Sequence, residues 1–234
     1  MLSKSDHAAA QNRKTVKSVR NLLRASSACA WFAVSMVVSP AAHASAVEQF
    51  KAFVANTRSA QGEFTQQQIK LVDGKPKVSK TASGSYVFAR PGKFIWTYQK
   101  PYAQTLQADG VKLYIYDKDL NQVTIKELGN ALGASPAAIL FGSANASEIE
   151  KSFTLKEAGT KQGMEWLDAI AKSSDSQFEH IGIGMKAGVP YALELRDNFG
   201  QISLVTLTSL EKNPVLKNEQ FNFVIPAGAD VFRP

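Results

Sequence analysis

Apolar and polar residues trade places along most of this chain, the period-2 signature of half-buried strands. The alternation predicts strands over Gly62–Lys70, Ser83–Arg90, Lys93–Gln99, Gln104–Ala108, Lys112–Tyr116 and Asn121–Ile125. After a break it resumes over Phe153–Leu155, Met164–Ile170, Gln177–Met185, Val189–Arg196, Ile202–Leu210 and Asn222–Ile225. Turn dipeptides punctuate the runs: Asp73-Gly74, Pro91-Gly92 and Asp109-Gly110, with Asn198-Phe-Gly200 between Val189–Arg196 and Ile202–Leu210. One early segment has helical spacing instead. Behind the capping box Ser45-Ala-Val-Glu48, the residues Val47, Phe50, Phe53 and Val54 share a face.

The strand rhythm breaks at Leu128–Lys151, where Gly129, Gly133 and Gly142 punctuate the chain. Ser135-Pro136 starts a short apolar helix, Ala137–Phe141, and a second helix begins at Ser147 with Glu148 in its first turn. Many strands, few helices and no βαβ alternation define a mainly β protein. The expected fold is a single antiparallel sheet, strongly curved into an unclosed barrel, with short helices as a lid on its concave side.

The first 44 residues change the charge picture. Lys4, Arg13, Lys14, Lys17, Arg20 and Arg24 precede the apolar run Ala25–Val38, and small residues follow at Ala42-His43-Ala44 and Ala44-Ser45-Ala46. This is the three-part pattern of a secretory signal, with cleavage after Ala44 or Ala46. An apolar run of about 14 residues is shorter than the roughly 20 a spanning helix needs. The whole chain carries +7. Six of the 27 basic residues and one of the 20 acidic ones lie in residues 1–44, which leaves 21 against 19, or +2, for residues 45–234. The basic balance belongs to the signal, and nucleic acid is not an expected partner. The one cysteine, Cys29, stands before much of the apolar run with Ser26 three positions ahead, the wrong place for a lipid-modified cysteine. Residues 45–234 form one thiol-free domain, large enough for its own core.

Catalytic patterns are missing. His180 is the only histidine after position 44, and it lies within a strand. There is no G-x-S-x-G elbow, H-E-x-x-H, Walker loop or Cys/His cluster. Aromatic side chains are in excess, and a curved sheet with a few short helices has little to bury them against. The residues therefore point to a hydrophobic container. Its organising stretch is Tyr86–Tyr98, a hairpin with Arg90 at its corner and Phe94, Trp96 and Tyr98 on one face.

Several segments taken in order resemble the family of periplasmic outer-membrane lipoprotein carriers, LolA. They are Gly62-Glu-Phe-Thr-Gln66, Arg90-Pro-Gly-Lys-Phe94-Ile-Trp96, Leu106-Gln-Ala-Asp-Gly110 with Leu113-Tyr-Ile-Tyr116, Ser135–Phe141, and Phe221–Val231. The resemblance covers essentially all of residues 45–234. It implies a monomeric half-barrel without metal, cofactor or catalytic activity, which holds the acyl chains of triacylated lipoproteins in the periplasm. It implies an inner-membrane ABC transporter complex as donor and an outer-membrane lipoprotein as acceptor. By position, Phe64, Phe88, Phe94, Trp96, Tyr114, Ile139, Leu140 and Phe141 are expected to line an acyl cavity. Arg90, Pro91, Phe50 and Phe53 are expected to form the lid and its gate, with Arg90 bonded to lid carbonyls in the closed state. The chain stops three residues after Val231, so a longer tail found in some relatives is expected to be absent. The rival readings are an acceptor or sensor domain of the same fold and, more remotely, a lipid hydrolase.

Overall fold

The computed structural model describes residues 44–128, 140, 143, 145–173 and 178–234, without the side chains of Leu71 and Glu179. The expected signal segment and most of the expected helix Ala137–Phe141, including Ile139 and Phe141, lie outside the described residues.

Helix α1 (Ala46–Asn56) opens as its capping box requires: the Ser45 side chain accepts the Glu48 amide. Strands β1 (Ser59–Val72), β2 (Lys75–Ala89), β3 (Lys93–Lys100), β4 (Gln104–Asp109), β5 (Lys112–Asp117) and β6 (Gln122–Glu127) follow as an antiparallel meander. Helix α2 (Ala146–Ser152) is capped by the Asn145 side chain, a residue or two earlier than the charge pattern suggests. A second meander comprises β7 (Phe153–Lys161), β8 (Met164–Ala171), β9 (Phe178–Lys186), β10 (Val189–Asp197) and β11 (Ile202–Leu207). Strand β11 returns to pair with β1 and joins the two meanders into one sheet. Its order is β13-β6-β5-β4-β3-β2-β1-β11-β10-β9-β8-β7, where β13 is Asp230–Phe232, with β12 (Glu211–Lys212) also on β1. The two end strands do not pair, so the barrel is unclosed.

Turn chemistry sets the registers. At Asp73-Gly74, Gln162-Gly163 and Ala187-Gly188 both central residues have positive φ. That mirror-image turn matches the strand twist. The β1–β2 hairpin runs further than alternation predicts, because residues 75–81 are exposed on both faces and carry no burial pattern to read.

Register stacks the concave face in rows. Ala60, Phe88, Phe94, Ala108 and Leu113 form one row across β1–β5, and Tyr86, Trp96, Leu106 and Ile115 the next. Helix α1 closes over the β7–β10 side of this face and contributes Ala46, Phe50, Phe53 and Val54 to the main core.

The convex face holds a surprise for the sequence reading. Asn222–Ile225 is not a strand. The chain forms a 3-10 turn at Asn218–Phe221, lays Phe221 and Phe223 over the outside of the first meander, and ends in β13 (Asp230–Phe232) parallel to β6. Phe221 is buried there, and Phe223 stacks on Tyr114 at 4.7 Å. Tyr114 is thereby removed from the cavity set. On β5, Leu113 and Ile115 face inward, so period 2 turns Tyr114 outward. On the same outer side of β8–β9, Trp166 lies against Gly182 and Gly184, where a Cβ would meet its ring at 3.0–3.4 Å.

Candidate functional site

The backbone turns at Arg90 between β2 and β3, next to the end of α1, and the side chain reaches back under the helices. Its guanidinium bonds three main-chain carbonyls in a fork. Nε donates to Thr57 at 3.0 Å, Nη1 to Ser143 at 2.7 Å and Nη2 to Leu140 at 2.8 Å. Thr57 is the C-cap of α1, so a cation caps the negative end of that helix. The guanidinium also lies 5.1 Å from the Phe88 ring centroid. Among the described residues no carboxylate lies within ion-pairing distance of it. Burial lowers its pKa to about 10, which still leaves it protonated at neutral pH. Only arginine offers a planar set of donors that can hold three carbonyls at once.

Beneath the fork lie the aromatics. Phe64, Phe88, Phe94 and Trp96 are buried on the concave face with Phe50 and Phe53 of α1 above, and Leu140 is fully buried in the same core. Phe64 stacks on Trp96 at 3.9 Å and meets Tyr98 edge-on at 5.3 Å. The structure therefore brings Phe50, Phe53, Phe64, Phe88, Arg90, Phe94, Trp96 and Leu140 together. It leaves Pro91 exposed at the hairpin corner and Tyr114 on the far face.

Three further residues were not read as part of the site. Glu157 on β7 accepts the Ala46 and Val47 amides, both at 3.0 Å, at the positive end of α1. Asn213 accepts the Arg58 amide at 2.8 Å and donates to the Asn56 carbonyl at 3.0 Å at the other end. Gln49 accepts the Gly188 amide at 3.1 Å between them. Helix α1 is thus tied to the sheet at both ends. No local sequence signal marks these contacts, which join residues more than a hundred positions apart.

Among the described residues no cluster of acids, histidines or cysteines could hold a metal, and no helix is long and apolar enough to cross a membrane. Fold and site together define a class: an open half-barrel whose apolar concave face is covered by α1 and Leu140, with one buried arginine bonded to the main chain at Thr57, Leu140 and Ser143. Residues 55–224 match the family model described as outer membrane lipoprotein carrier protein LolA. An outer-membrane lipoprotein carrier protein of Cupriavidus necator is 54% identical over 207 residues, 88% of this chain and 96% of its own. Its counterpart in Cupriavidus pinatubonensis is 55% identical over the same shares. That of Ralstonia nicotianae is 51% identical over 197 residues, 83% of this chain and 90% of its own. The chain belongs to the LolA family of outer-membrane lipoprotein carriers.

Proposed function

We propose that this protein is a periplasmic carrier that shields the acyl chains of lipoproteins between an inner-membrane donor and an outer-membrane acceptor, without catalysing a reaction. The observation that carries the reading is the Arg90 fork, which joins the fixed end of α1 to the segment at Leu140 and Ser143. Acyl chains gain about 0.8 kcal/mol per methylene on leaving water, so free lipidated protein is strongly disfavoured in an aqueous compartment. A carrier must offset that cost and still let go. Charge-assisted bonds of the kind Arg90 makes are worth about 1.5–3 kcal/mol each. They favour the shut form, in which Phe64, Phe88, Phe94 and Trp96 pack on one another and on Leu140.

Entering chains displace that packing and break the fork at Leu140 and Ser143. Helix α1, tied at both ends, stays as a wall with Phe50 and Phe53. Closing the fork again then helps to expel the cargo. Uptake and release are two occupants competing for one interior.

The test compares wild type with Arg90→Leu. Each is loaded with lipidated cargo from inner-membrane vesicles and then offered acceptor-bearing outer-membrane vesicles. Loading is expected to remain within about twofold, and handover to fall by on the order of tenfold or more. Handover at the wild-type rate would sink the mechanism.

A further inference from the structure

Moving away from Arg90, the inward residues of β1, β3, β4 and β5 change character in the same sequence. On β1 the inward residues run Phe64, Gln66, Gln68; on β3 they run Trp96, Tyr98, Lys100; on β4, backwards, Leu106 then Gln104; on β5, Ile115 then Asp117. Register lines these changes up: Phe64, Gly84, Tyr98, Gln104 and Asp117 are successive partners across five strands, and Gln66 sits opposite Ala82. The face is apolar near Arg90, then a belt of carboxamides and a phenol that ends at Asp117 on β5, then a rim with Lys80, Lys100 and Asp119 beside Tyr102 and Leu120. A cavity of about 600 Å³ is lined by the belt and rim residues together with Ala82.

The belt's hydrogen-bonding capacity is largely unspent. The Tyr98 hydroxyl donates to Gln66 Oε1 at 2.8 Å, which leaves the Gln66 amide N–H groups pointing elsewhere. The side-chain amides of Gln68 and Gln104 have no hydrogen-bond partner among the described residues. All three glutamines are half-buried, so their groups are partly withdrawn from water. Burial raises the Tyr98 pKa and keeps its hydroxyl neutral. Asp117 Oδ1 already accepts the Asp119 and Leu120 amides, so the unspent groups are neutral donors and acceptors between an apolar face and a rim that carries charge. They match an uncharged ester-and-amide junction with long acyl chains on one side and a peptide on the other.

We infer that this belt is the subsite for the ester and amide groups that join the acyl chains to the cargo peptide, with Gln68, Gln104 and the Gln66–Tyr98 pair as its hydrogen-bonding residues. The inference rests on the carrier reading above and adds where the cargo's head is held and what is recognised in it. A free fatty acid offers one carboxylate, with no amide N–H and no further carbonyls, so it meets fewer of the belt's groups than the junction does. The belt thus selects for attachment to a peptide and not for chain length.

The test uses residues 45–234 as wild type, as Gln68→Leu/Gln104→Leu and as Tyr98→Phe. Binding of a synthetic tripalmitoyl-cysteinyl peptide is compared with that of palmitate, each by displacement of a fluorescent fatty acid. The double variant removes only side-chain amides that bond nothing within the described protein, and Tyr98→Phe keeps the ring that packs on Phe64. The lipopeptide is expected to weaken by about tenfold in the double variant and several-fold in Tyr98→Phe, with palmitate held within about twofold. Equal losses for both ligands, or no loss for the lipopeptide, overturn the subsite while leaving the carrier reading intact. A wild type that binds neither ligand overturns the carrier reading, and the subsite with it.

Discussion

Single residues here do two jobs that the sequence shows as one. Arg90 follows a strand and precedes Pro91, which by itself shows only a charge at a turn; the family resemblance implies bonds to lid carbonyls, and the fork exists because Leu140 and Ser143 come to it from some fifty positions away. Asp109 shows the opposite case, a role legible locally. In the Asp109-Gly110 turn its Oδ1 accepts the Val111 and Lys112 amides, both at 2.8 Å, and its Oδ2 accepts the Tyr114 hydroxyl at 3.0 Å. Burial works to raise the pKa of this carboxyl, but those hydrogen bonds outweigh it and hold it below its ordinary 3.8. A folded pKa lower than the unfolded one gives stability that is complete above the unfolded value. It is lost as pH falls through the folded value. Denaturant midpoints from pH 7 downward are therefore expected to fall below about pH 4, and to fall less in Asp109→Asn, which starts lower at neutral pH. Parallel pH profiles for the two proteins would show that the turn contributes nothing to acid sensitivity.

Elements carry the next level. Helix α1 is amphipathic and capped, so its existence, start and buried face follow from Ser45, Glu48, Phe50, Phe53 and Val54 alone. Its attachment to the rest of the fold at both ends does not follow from them. That depends on Glu157 at one end and on Asn213 and Arg90 at the other. Replacing Glu157 with Gln removes the charge from the positive end of the helix and leaves one acceptor for two amides. It is expected to cost about 0.5–1 kcal/mol and to speed hydrogen exchange in α1 more than in β2 and β3. Unchanged exchange in α1 would mean that the helix is held by its apolar face alone. The long β1–β2 hairpin went the other way. Its outer half has no alternation because neither face is buried, and only pairing to the end of the sheet reveals it.

At the scale of the whole molecule the two faces of one sheet are used differently. The concave face gathers the aromatics under α1 and Leu140, while the convex face of the first meander is sealed by the chain's own C-terminal segment. Phe221 is 1% exposed and lies outside the concave core, so it contributes to stability without touching the proposed cargo site. Phe221→Ala is expected to destabilise by about 3–5 kcal/mol, the usual loss for a buried phenylalanine. At roughly 2–4 °C per kcal/mol for a domain of this size, the melting temperature should drop by about 10 °C. Fatty-acid binding measured well below the new melting point should be unchanged. A loss of binding in protein shown to be folded would mean that the two faces are coupled through the sheet.

The sequence by itself determined whatever depends on neighbours a few positions apart. The strand periods, the turn dipeptides, the capped amphipathic helix and the order of segments that resembles the carrier family are all of this kind. Tertiary structure decided everything that depends on which distant groups meet. It turned Tyr114 outward, put Phe221 and Phe223 on the convex face, gave Arg90 its three carbonyls and aligned the glutamines and Tyr98 into a belt. The physical reason is that alternation says a strand has two faces but not which one is covered, or by what. A carbonyl looks the same at every position until the fold carries a donor to it.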